Sequence, residues 1–334
     1  MRIHIKLTAF ICLIFAVLLL SSCASRPIKS SAEDSEIVAT CDGHDIPYEQ
    51  VRYLVLSHKA ELASAYGEDI WDDPTLAAQY KDELISRVEN DIKTYSTILS
   101  VGKNYNVSID DKEIQEAVQS EIDYVVSEIY KGRSEYKKAL AEGGMTDSFL
   151  RFMYGIYYCQ NELYIIMTEH LGAISVPSDE GELYDLLCSE LYRTTHVYIP
   201  CNYGGNDKEA NRKNAEKIRE DIVSGAITFE DAQFLGGTDT TLASDGNYFT
   251  KGYAEKIYED AALSLGKGEI SPVIEMGGAF YIIKRLPLDT EYVLLNLYTF
   301  KAQYVQTQFN NTLSDYKQNI SVTYLKDIDF VAIK

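Results

Sequence analysis

Apolar residues recur every three or four positions through the first half of the chain, once its first 36 residues are past. Side chains with this spacing share one face of an α-helix and can bury that face against its neighbours. The pattern therefore predicts three long helices, the third less regular than the others. Their apolar stripes are Leu84, Val88, Ile92, Tyr95 and Leu99; Ile114, Val118, Ile122, Val125 and Ile129; and Phe149, Met153, Ile156, Leu163 and Met167.

Local signals add shorter elements around these helices. The region opens with a strand over residues 37–41, a turn at 42–43 and a helix start at 46–48, where proline suits the first turn. Asp110, with Glu113 three residues later, predicts a capping box before the second long helix.

The pattern changes after a shorter predicted helix over residues 178–191. Residues 193–286 predict the order strand, helix, helix, helix, strand. The predicted elements are a strand over 195–199, a helix over 206–224 closed by Gly225, a helix from Phe229, a polar loop over 236–247, a helix near 254–265 and a strand over 279–284. After Pro287 the chain predicts one long helix over 290–317 and a strand-like stretch over 320–333.

The first 23 residues have the form of an export signal. Arg2 and Lys6 precede an uncharged run over residues 7–20, which is short for a bilayer span but suits the core of a signal peptide. The following Leu-Ser-Ser-Cys resembles the bacterial lipobox, which implies cleavage after residue 22 and acylation of Cys23. An ordinary signal peptide with an incidental cysteine is the alternative. Residues 23–36 predict a flexible linker.

Charge narrows the set of partners. Removal of the first 22 residues, which carry Arg2 and Lys6 and no acidic residue, would take the formal net charge from -20 to -22. This balance disfavours nucleic acid and anionic lipid headgroups, which need basic surfaces. The simpler reading is that acidity keeps an exported protein soluble.

Besides Cys23, the predicted mature chain keeps four cysteines, at positions 41, 159, 188 and 201, without the spacing of a zinc site. We therefore expect no metal and no cofactor, while disulfides stay open because export permits them.

Five short sequences in residues 193–286 carry a family resemblance. They are His-Val-Tyr-Ile at 196–199, Phe-Glu-Asp-Ala at 229–232, Tyr-Glu-Asp-Ala-Ala-Leu at 258–263, Gly-Glu-Ile-Ser-Pro-Val at 268–273 and Tyr-Ile-Ile-Lys at 281–284. In this order they resemble the parvulin family of peptidyl-prolyl cis-trans isomerases. The strand, turn and helix start at residues 37–48 resemble the opening of the chaperone domain in exported parvulin foldases of the PrsA and SurA type. The resemblance implies an α+β fold: a mainly helical chaperone domain with an inserted parvulin-like domain, a small antiparallel sheet wrapped by helices.

The resemblance also implies the site residues. The polar catalytic positions fall on His196, Asp239 and Tyr281, where Tyr281 replaces the second histidine usual in the family. The apolar cup for the proline ring, built in the family from leucine, methionine and phenylalanine, falls on Gly246, Ala254 and Tyr258, with Phe249 nearby. Two of these positions lose most of their apolar bulk.

The implied domains are a signal peptide at 1–22, a linker at 23–36, a helical chaperone domain at 37–192, a parvulin-like domain at 193–286 and a C-terminal segment at 287–334. The last returns to the chaperone domain or forms a separate extension.

The predicted function is that of a foldase, lipid-anchored to the outer face of the bacterial cell membrane. It would isomerise X-Pro bonds and bind unfolded or newly exported polypeptides; a homodimer stays open. The alternative is a non-catalytic holdase with a degenerate parvulin domain. A solute-binding lipoprotein is disfavoured, since the repeated strand and helix alternation of such receptors is missing.

Overall fold

The computed structural model describes residues 33–170, 172–205, 207–237, 239–240 and 242–333. The predicted signal peptide, Cys23 and most of the linker lie outside the described residues. The chain divides into two compact units. The first combines the residues before Gly172 with those from Leu313 onward, and the second comprises Gly172–Thr312.

The first unit is helical with a small sheet. Its helices are α1 (Tyr48–Tyr66), α2 (Pro74–Asn104), α3 (Lys112–Tyr124), α4 (Arg133–Glu142) and α5 (Asp147–Ile165), with a 3-10 turn at Glu68–Trp71 and π-helical turns at Val125–Ile129 and Ile166–His170. Its strands are β1 (Ile37–Cys41), β2 (His44–Pro47) and Val322–Tyr324, labelled β7 because four strands of the second unit precede it.

The three long helices predicted from the apolar stripes are confirmed. Leu84, Val88 and Ile92 of α2 are fully buried. Ile122 of α3 and Leu163 of α5 are fully buried as well. The predicted capping box is wrong. Asp111, not Asp110, stands at the helix start, and its carboxylate accepts the Ser108 backbone N–H at 2.8 Å.

The sheet of the first unit joins the two ends of the described chain. Strand β1 pairs with β2 on one side and with β7 on the other, both antiparallel, so Thr40 stands opposite Asp45 and Thr323. Lys59 adds a second link, since its ammonium donates to the Val331 and Ile333 carbonyls at 2.6 and 2.8 Å. Residues 313–333 are thus part of the first unit's structure.

The second unit has helices on both sides of a four-stranded sheet. Its elements are α6 (Glu180–Glu190), β3 (Leu191–Pro200), a 3-10 turn (Tyr203–Gly205), α7 (Lys208–Ser224), α8 (Phe229–Leu235), β4 (Asn247–Thr250), α9 (Lys256–Leu263), β5 (Ile274–Met276), β6 (Ala279–Leu286), α10 (Thr290–Leu295) and α11 (Leu297–Gln318), which continues into the first unit. The strand order is β4-β3-β6-β5, and every pair is antiparallel.

Alternation along the central strands gives the two faces of this sheet different tasks. Val197 and Ile282 lie in a core with α7 and α8, and both are fully buried. Their neighbours His196, Tyr281 and Ile283 face the other way, where α9 packs. One face of the sheet therefore packs in the core with α7 and α8, and the other face presents His196 and Tyr281 towards α9.

The α+β class predicted from the sequence is confirmed, while the predicted domain boundaries stay predictions. Several element predictions need correction. Strands β4 and β5 were not expected, residues 44–47 form a strand before α1 begins, and only 322–324 of the last stretch is a strand. The predicted helix over 290–317 is two helices that break at Asn296, whose side chain donates to the Tyr292 carbonyl at 2.9 Å.

Within the described residues, no helix has both the length and the apolar character needed to cross a membrane. The four described cysteines are free thiols; Cys41 and Cys159 are buried.

Candidate active site

His196 is the centre of a buried hydrogen-bond chain. Its side chain leaves β3 on the α9 face, and the residue is only 4% exposed. Nε2 lies 2.9 Å from Oδ2 of Asp239, and Nδ1 lies 3.1 Å from the hydroxyl of Tyr258. A carboxylate can only accept, so Nε2 carries the proton and Nδ1 accepts from Tyr258. The two partners together fix one tautomer of a neutral imidazole.

The chain continues from Tyr258 to Thr194. The two hydroxyl oxygens lie 3.0 Å apart, so the threonine donates to Tyr258, which in turn donates to His196. Burial lowers the pKa of His196, and the adjacent Asp239 only partly offsets that effect. The imidazole is therefore neutral at neutral pH, and all its polar atoms have partners.

Asp239 reaches His196 because a glycine pair lets its loop approach β3 closely. The backbone N–H of Gly237 donates to the Tyr198 carbonyl at 2.7 Å. A Cβ at Gly236 would lie 2.5 Å from that same carbonyl oxygen, which no larger residue could tolerate. Gln233 at the end of α8 fixes the approach, since its amide donates to the His196 carbonyl at 3.0 Å. The loop after α8 thus places the carboxylate.

Tyr281 lies beside the imidazole. It belongs to β6 and stands opposite Tyr198 of β3. Its ring centre is 5.1 Å from that of His196, and the two ring planes make an angle of 77°. Burial, with Asp239 next in effect, raises the pKa of Tyr281 to about 12. The hydroxyl is therefore protonated at neutral pH and available as a donor.

All seven residues that the sequence placed in the site line one cleft of about 470 Å³: His196, Asp239, Gly246, Phe249, Ala254, Tyr258 and Tyr281. Phe249 is 3% exposed and Tyr258 is 6% exposed, so their rings form its buried floor. Ala254 and Tyr281 are half-buried at its wall. The structure brings the seven together.

Gly246 contributes backbone only, and the structure explains why. Its φ is +85°, and a Cβ there would lie 2.5 Å from the Thr194 carbonyl oxygen. A leucine, the residue that the family resemblance implies for this position, would be strained and would clash. The apolar wall is therefore built by other residues.

Met276 is one such residue, and sequence reasoning missed it. It is half-buried at the end of β5 and lines the cleft. Gly277 and Gly278, with φ of +57° and +77°, join β5 to β6 as a two-residue hairpin. That Gly-Gly pair between apolar residues was the signal that could have identified the strand.

The cleft also extends beyond the segment predicted to be parvulin-like. Tyr292 of α10, Thr299 and Phe300 of α11, and Asn296 at the break between these helices line it together with Tyr248 of β4. The ring centres of Tyr248 and Tyr292 are 5.0 Å apart, and those of Tyr248 and Phe300 are 5.3 Å apart. No local pattern reveals these contacts, because they join residues distant in sequence.

Among the described residues, no group of three or more His, Cys, Asp or Glu side chains could hold a metal ion.

Comparison with known families decides what this cleft belongs to. Residues 196–286 match the Rotamase family profile, described as a PPIC-type PPIASE domain. This segment is a parvulin domain. The match begins at His196 and runs through β6, so it includes Asp239 and Tyr281. The predicted parvulin resemblance is thereby confirmed, and the domain is of the peptidyl-prolyl isomerase type.

Relatives share more of the chain than the parvulin domain. Foldase protein PrsA of Caldanaerobacter subterraneus subsp. tengcongensis is 24% identical over 289 residues, 84% of this chain and 81% of that protein. Foldase protein PrsA of Staphylococcus aureus strain MRSA252 is 24% identical over 231 residues, 61% of this chain and 67% of that protein. A crystal structure of the peptidylprolyl isomerase PrsA from Bacillus anthracis covers 68% of this chain and 94% of its own, at 18% identity and a TM-score of 0.34.

Proposed function

We propose that this protein is an extracytoplasmic foldase, tethered to the membrane through a lipid on Cys23, that isomerises X-Pro bonds in exported proteins and binds unfolded chains. The observation that carries the proposal is the convergence of His196, Asp239 and Tyr281 on one cleft with a buried aromatic floor. The names of the PrsA relatives give independent support.

The reaction requires no bond to break. Rotation about a peptide bond costs about 18–20 kcal/mol, because conjugation gives the C–N bond double-bond character. In the twisted state conjugation is lost, the carbonyl oxygen loses negative charge and the nitrogen regains a lone pair. A catalyst must bind this state more tightly than either planar isomer.

The side chains of the cleft are suited to that task. The Asp239 carboxylate repels the carbonyl oxygen more in the planar amide, where that oxygen carries more negative charge, than in the twisted one. The protonated hydroxyl of Tyr281 supplies a donor for the nitrogen lone pair. Both nitrogens of His196 are already engaged, so His196 acts as a positioning residue that holds Asp239 and the buried floor in place.

The proline ring requires an apolar surface. Phe249 and Tyr258 supply its floor, and Met276 and Ala254 supply its walls. Expulsion of water from this surface strengthens the polar interactions at the carbonyl.

The test is the cis-trans exchange rate of a proline peptide, measured by NMR with the mature protein. We expect the protein to accelerate exchange. In Asp239→Ala and His196→Ala this acceleration should fall at least about tenfold, because each variant removes a polar group of the site. His196→Gln is measured as well, and thermal unfolding is followed for every variant. A variant that unfolds like the wild type but no longer accelerates exchange has lost the site and not the fold. Exchange at the uncatalysed rate with a folded protein would contradict the isomerase proposal.

The second candidate is a holdase without isomerase activity. The lost bulk at Gly246 and Ala254 favours it, because the proline ring then has less apolar surface to contact. Suppression of client aggregation by the same preparation, without accelerated exchange, would select this candidate.

The anchor has its own test. Cys23→Ser should release the protein from the membrane fraction, and mass spectrometry of the wild-type protein should find an acylated Cys23 at the new N-terminus. An unmodified N-terminus at another residue would favour an ordinary signal peptide.

A further inference from the structure

Much of the cleft wall comes from one short segment, residues 246–255, which contains β4 and the turn that follows it. Phe249 of β4 and Tyr253 and Ala254 of the turn all line the cleft. Strand β4 stands at the edge of the sheet, so β3 pairs with one of its sides and no strand of the described residues pairs with the other. The shape of the cleft therefore depends on what holds the free side of this segment.

Helix α11 holds that free side. Nε2 of Gln303 donates to the Tyr248 carbonyl at 3.2 Å, and Nδ2 of Asn311, about two turns further along the helix, donates to the Lys251 carbonyl at 3.1 Å. The ring centre of Phe300 lies 5.3 Å from that of Tyr248, so the start of the helix packs on the same strand. All these residues belong to the second unit. Two amide donors of α11 thus bind the backbone of β4 and of the turn after it.

The turn has the geometry that Asn311 requires. Gly252 has a φ of +95°, and a Cβ on it would overlap the Asn311 amide, so a larger residue would displace that amide from the Lys251 carbonyl. The N–H of Gly252 also donates to Oε2 of Glu259, a buried residue of α9, at 2.7 Å. The turn is therefore held by two side chains, one inside the segment that matches the family profile and one beyond its end at residue 286.

We propose that α11 belongs to the isomerase site, and that Asn311 and Gln303 are positioning residues that hold the apolar wall where the proline ring binds. The proposal rests on the proposed binding of prolyl peptides in this cleft. Asp239 and Tyr281 are placed by other segments, the loop after α8 and strand β6. Loss of the α11 contacts should therefore weaken binding of the proline ring and leave the groups that face the twisted bond in place.

Variants that remove each donor test the proposal in the mature protein, with the NMR exchange of a proline peptide as the readout. Asn311→Ala removes the donor to Lys251 from a half-buried position. We expect kcat/KM to fall about fivefold, which corresponds to one lost hydrogen bond. The fall should come from a higher KM at nearly unchanged kcat, because the wall contacts the proline ring in the planar and the twisted state alike.

Gln303→Met removes the donor to Tyr248 and should raise KM in the same way. An unchanged KM in either variant would overturn the role of that residue.

A spectroscopic readout distinguishes positioning from a general loss of stability. Backbone order parameters at residues 251–254 should fall in Asn311→Ala, while those of β3 and β6 keep their wild-type values. Asn311→Asp keeps the shape of the side chain without the donor and should behave like Asn311→Ala. Asn310→Ala is the matched control, because Asn310 is an exposed neighbour on α11 that accepts from Gln306 at 3.1 Å. It should leave KM and the order parameters unchanged.

Gly252→Ala tests the same contact from the side of the turn. Its methyl group would push the Asn311 amide away from the Lys251 carbonyl, so KM should rise. In the Asn311→Ala background the same change should raise KM by a smaller factor, because the displaced amide is already missing. Equal factors in the two backgrounds would contradict the role of Asn311.

Peptide binding, followed by chemical-shift titration, separates this proposal from the proposed activity. Acceleration by the wild type that neither Asn311→Ala nor Gln303→Met alters would support the isomerase and overturn the positioning role. Binding without acceleration, weakened by Asn311→Ala and not by Asn310→Ala, would support the positioning role and contradict the isomerase. Absence of both binding and acceleration in the folded wild type would contradict both.

Discussion

The hydroxyl of Tyr258 lies 3.1 Å from Nδ1 of His196 and donates to this nitrogen, which the Asp239 contact at Nε2 leaves unprotonated. The parvulin resemblance implies that Tyr258 belongs to the apolar cup for the proline ring. In this chain the same ring forms the floor of the cleft and also joins Thr194 to the histidine. One side chain therefore supplies both apolar surface and polar positioning.

Removal of that hydroxyl tests the positioning role. Tyr258→Phe keeps the ring but leaves Nδ1 of His196 buried without a donor. We expect the free energy of unfolding to fall by about 1 kcal/mol and kcat/KM to fall about fivefold. The chemical shift of His196 Nδ1 should change, because this nitrogen loses its hydrogen bond, while Asp239 keeps the proton on Nε2. Tyr203→Phe, in an exposed turn, is the control; an unchanged His196 spectrum in Tyr258→Phe would contradict the assigned role.

The two weak positions of the cup should respond in opposite ways to added bulk. Gly246→Leu should cost about 2 kcal/mol or more of stability, because it combines a left-handed backbone with a clash against the Thr194 carbonyl.

Ala254→Met places apolar bulk on a half-buried wall whose backbone is not in the left-handed region. We expect kcat/KM to rise about threefold, because the proline ring gains apolar contact. Urea unfolding and NMR exchange measure the two effects. A stable, more active Gly246→Leu would contradict the stated cause of the glycine.

Activity should decline on acidification at a pH set by His196. Burial holds its pKa below the ordinary value of 6.5, so the neutral form persists to lower pH than in the unfolded chain. The unfolded state then binds more protons below about pH 6.5, and the stability that the neutral form contributes is lost as pH falls through the folded pKa. The pKa of His44 is lowered as well, so His44 also contributes to the pH dependence of stability in this range. The measurement is therefore the free energy of unfolding as a function of pH for the wild type, minus the same curve for His196→Gln. A midpoint above 6.5 would contradict the prediction.

His58 of the first unit should show the opposite dependence. Its ring nitrogens lie 2.8 Å from Asp91 Oδ2 and 3.0 Å from Glu61 Oε2. Burial lowers its pKa, but these two carboxylates outweigh that effect and raise it. The stability contribution is therefore complete below the unfolded pKa and is lost as pH rises through the folded one. His58→Gln should destabilise the protein more at pH 5.5 than at pH 8, by about 1 kcal/mol, as measured by urea unfolding at the two pH values. A loss independent of pH would exclude the charged pairing.

The sequence predicted the site residues that lie in short sequence motifs. His196, Tyr258 and Tyr281 lie in such motifs, and Asp239 follows from its distance to Phe229. Met276 was missed because a three-residue strand shows no alternation to read. Tyr292 and Phe300 were missed because they reach the cleft through packing between distant segments. The need for glycine at position 246 could not be predicted, because it arises from the Thr194 carbonyl, which approaches from a distant part of the sequence.

The pairing of β7 with β1 constrains the order in which the protein becomes complete. Strand β1 (Ile37–Cys41) is synthesised more than 250 residues before its partner Val322–Tyr324. The cleft is built from residues that all precede Thr312 and can close while that partner is still missing. A chain stopped before residue 322 would accordingly contain a finished parvulin domain, whereas the sheet of the first unit would keep an open edge, so truncation should harm the helical unit first.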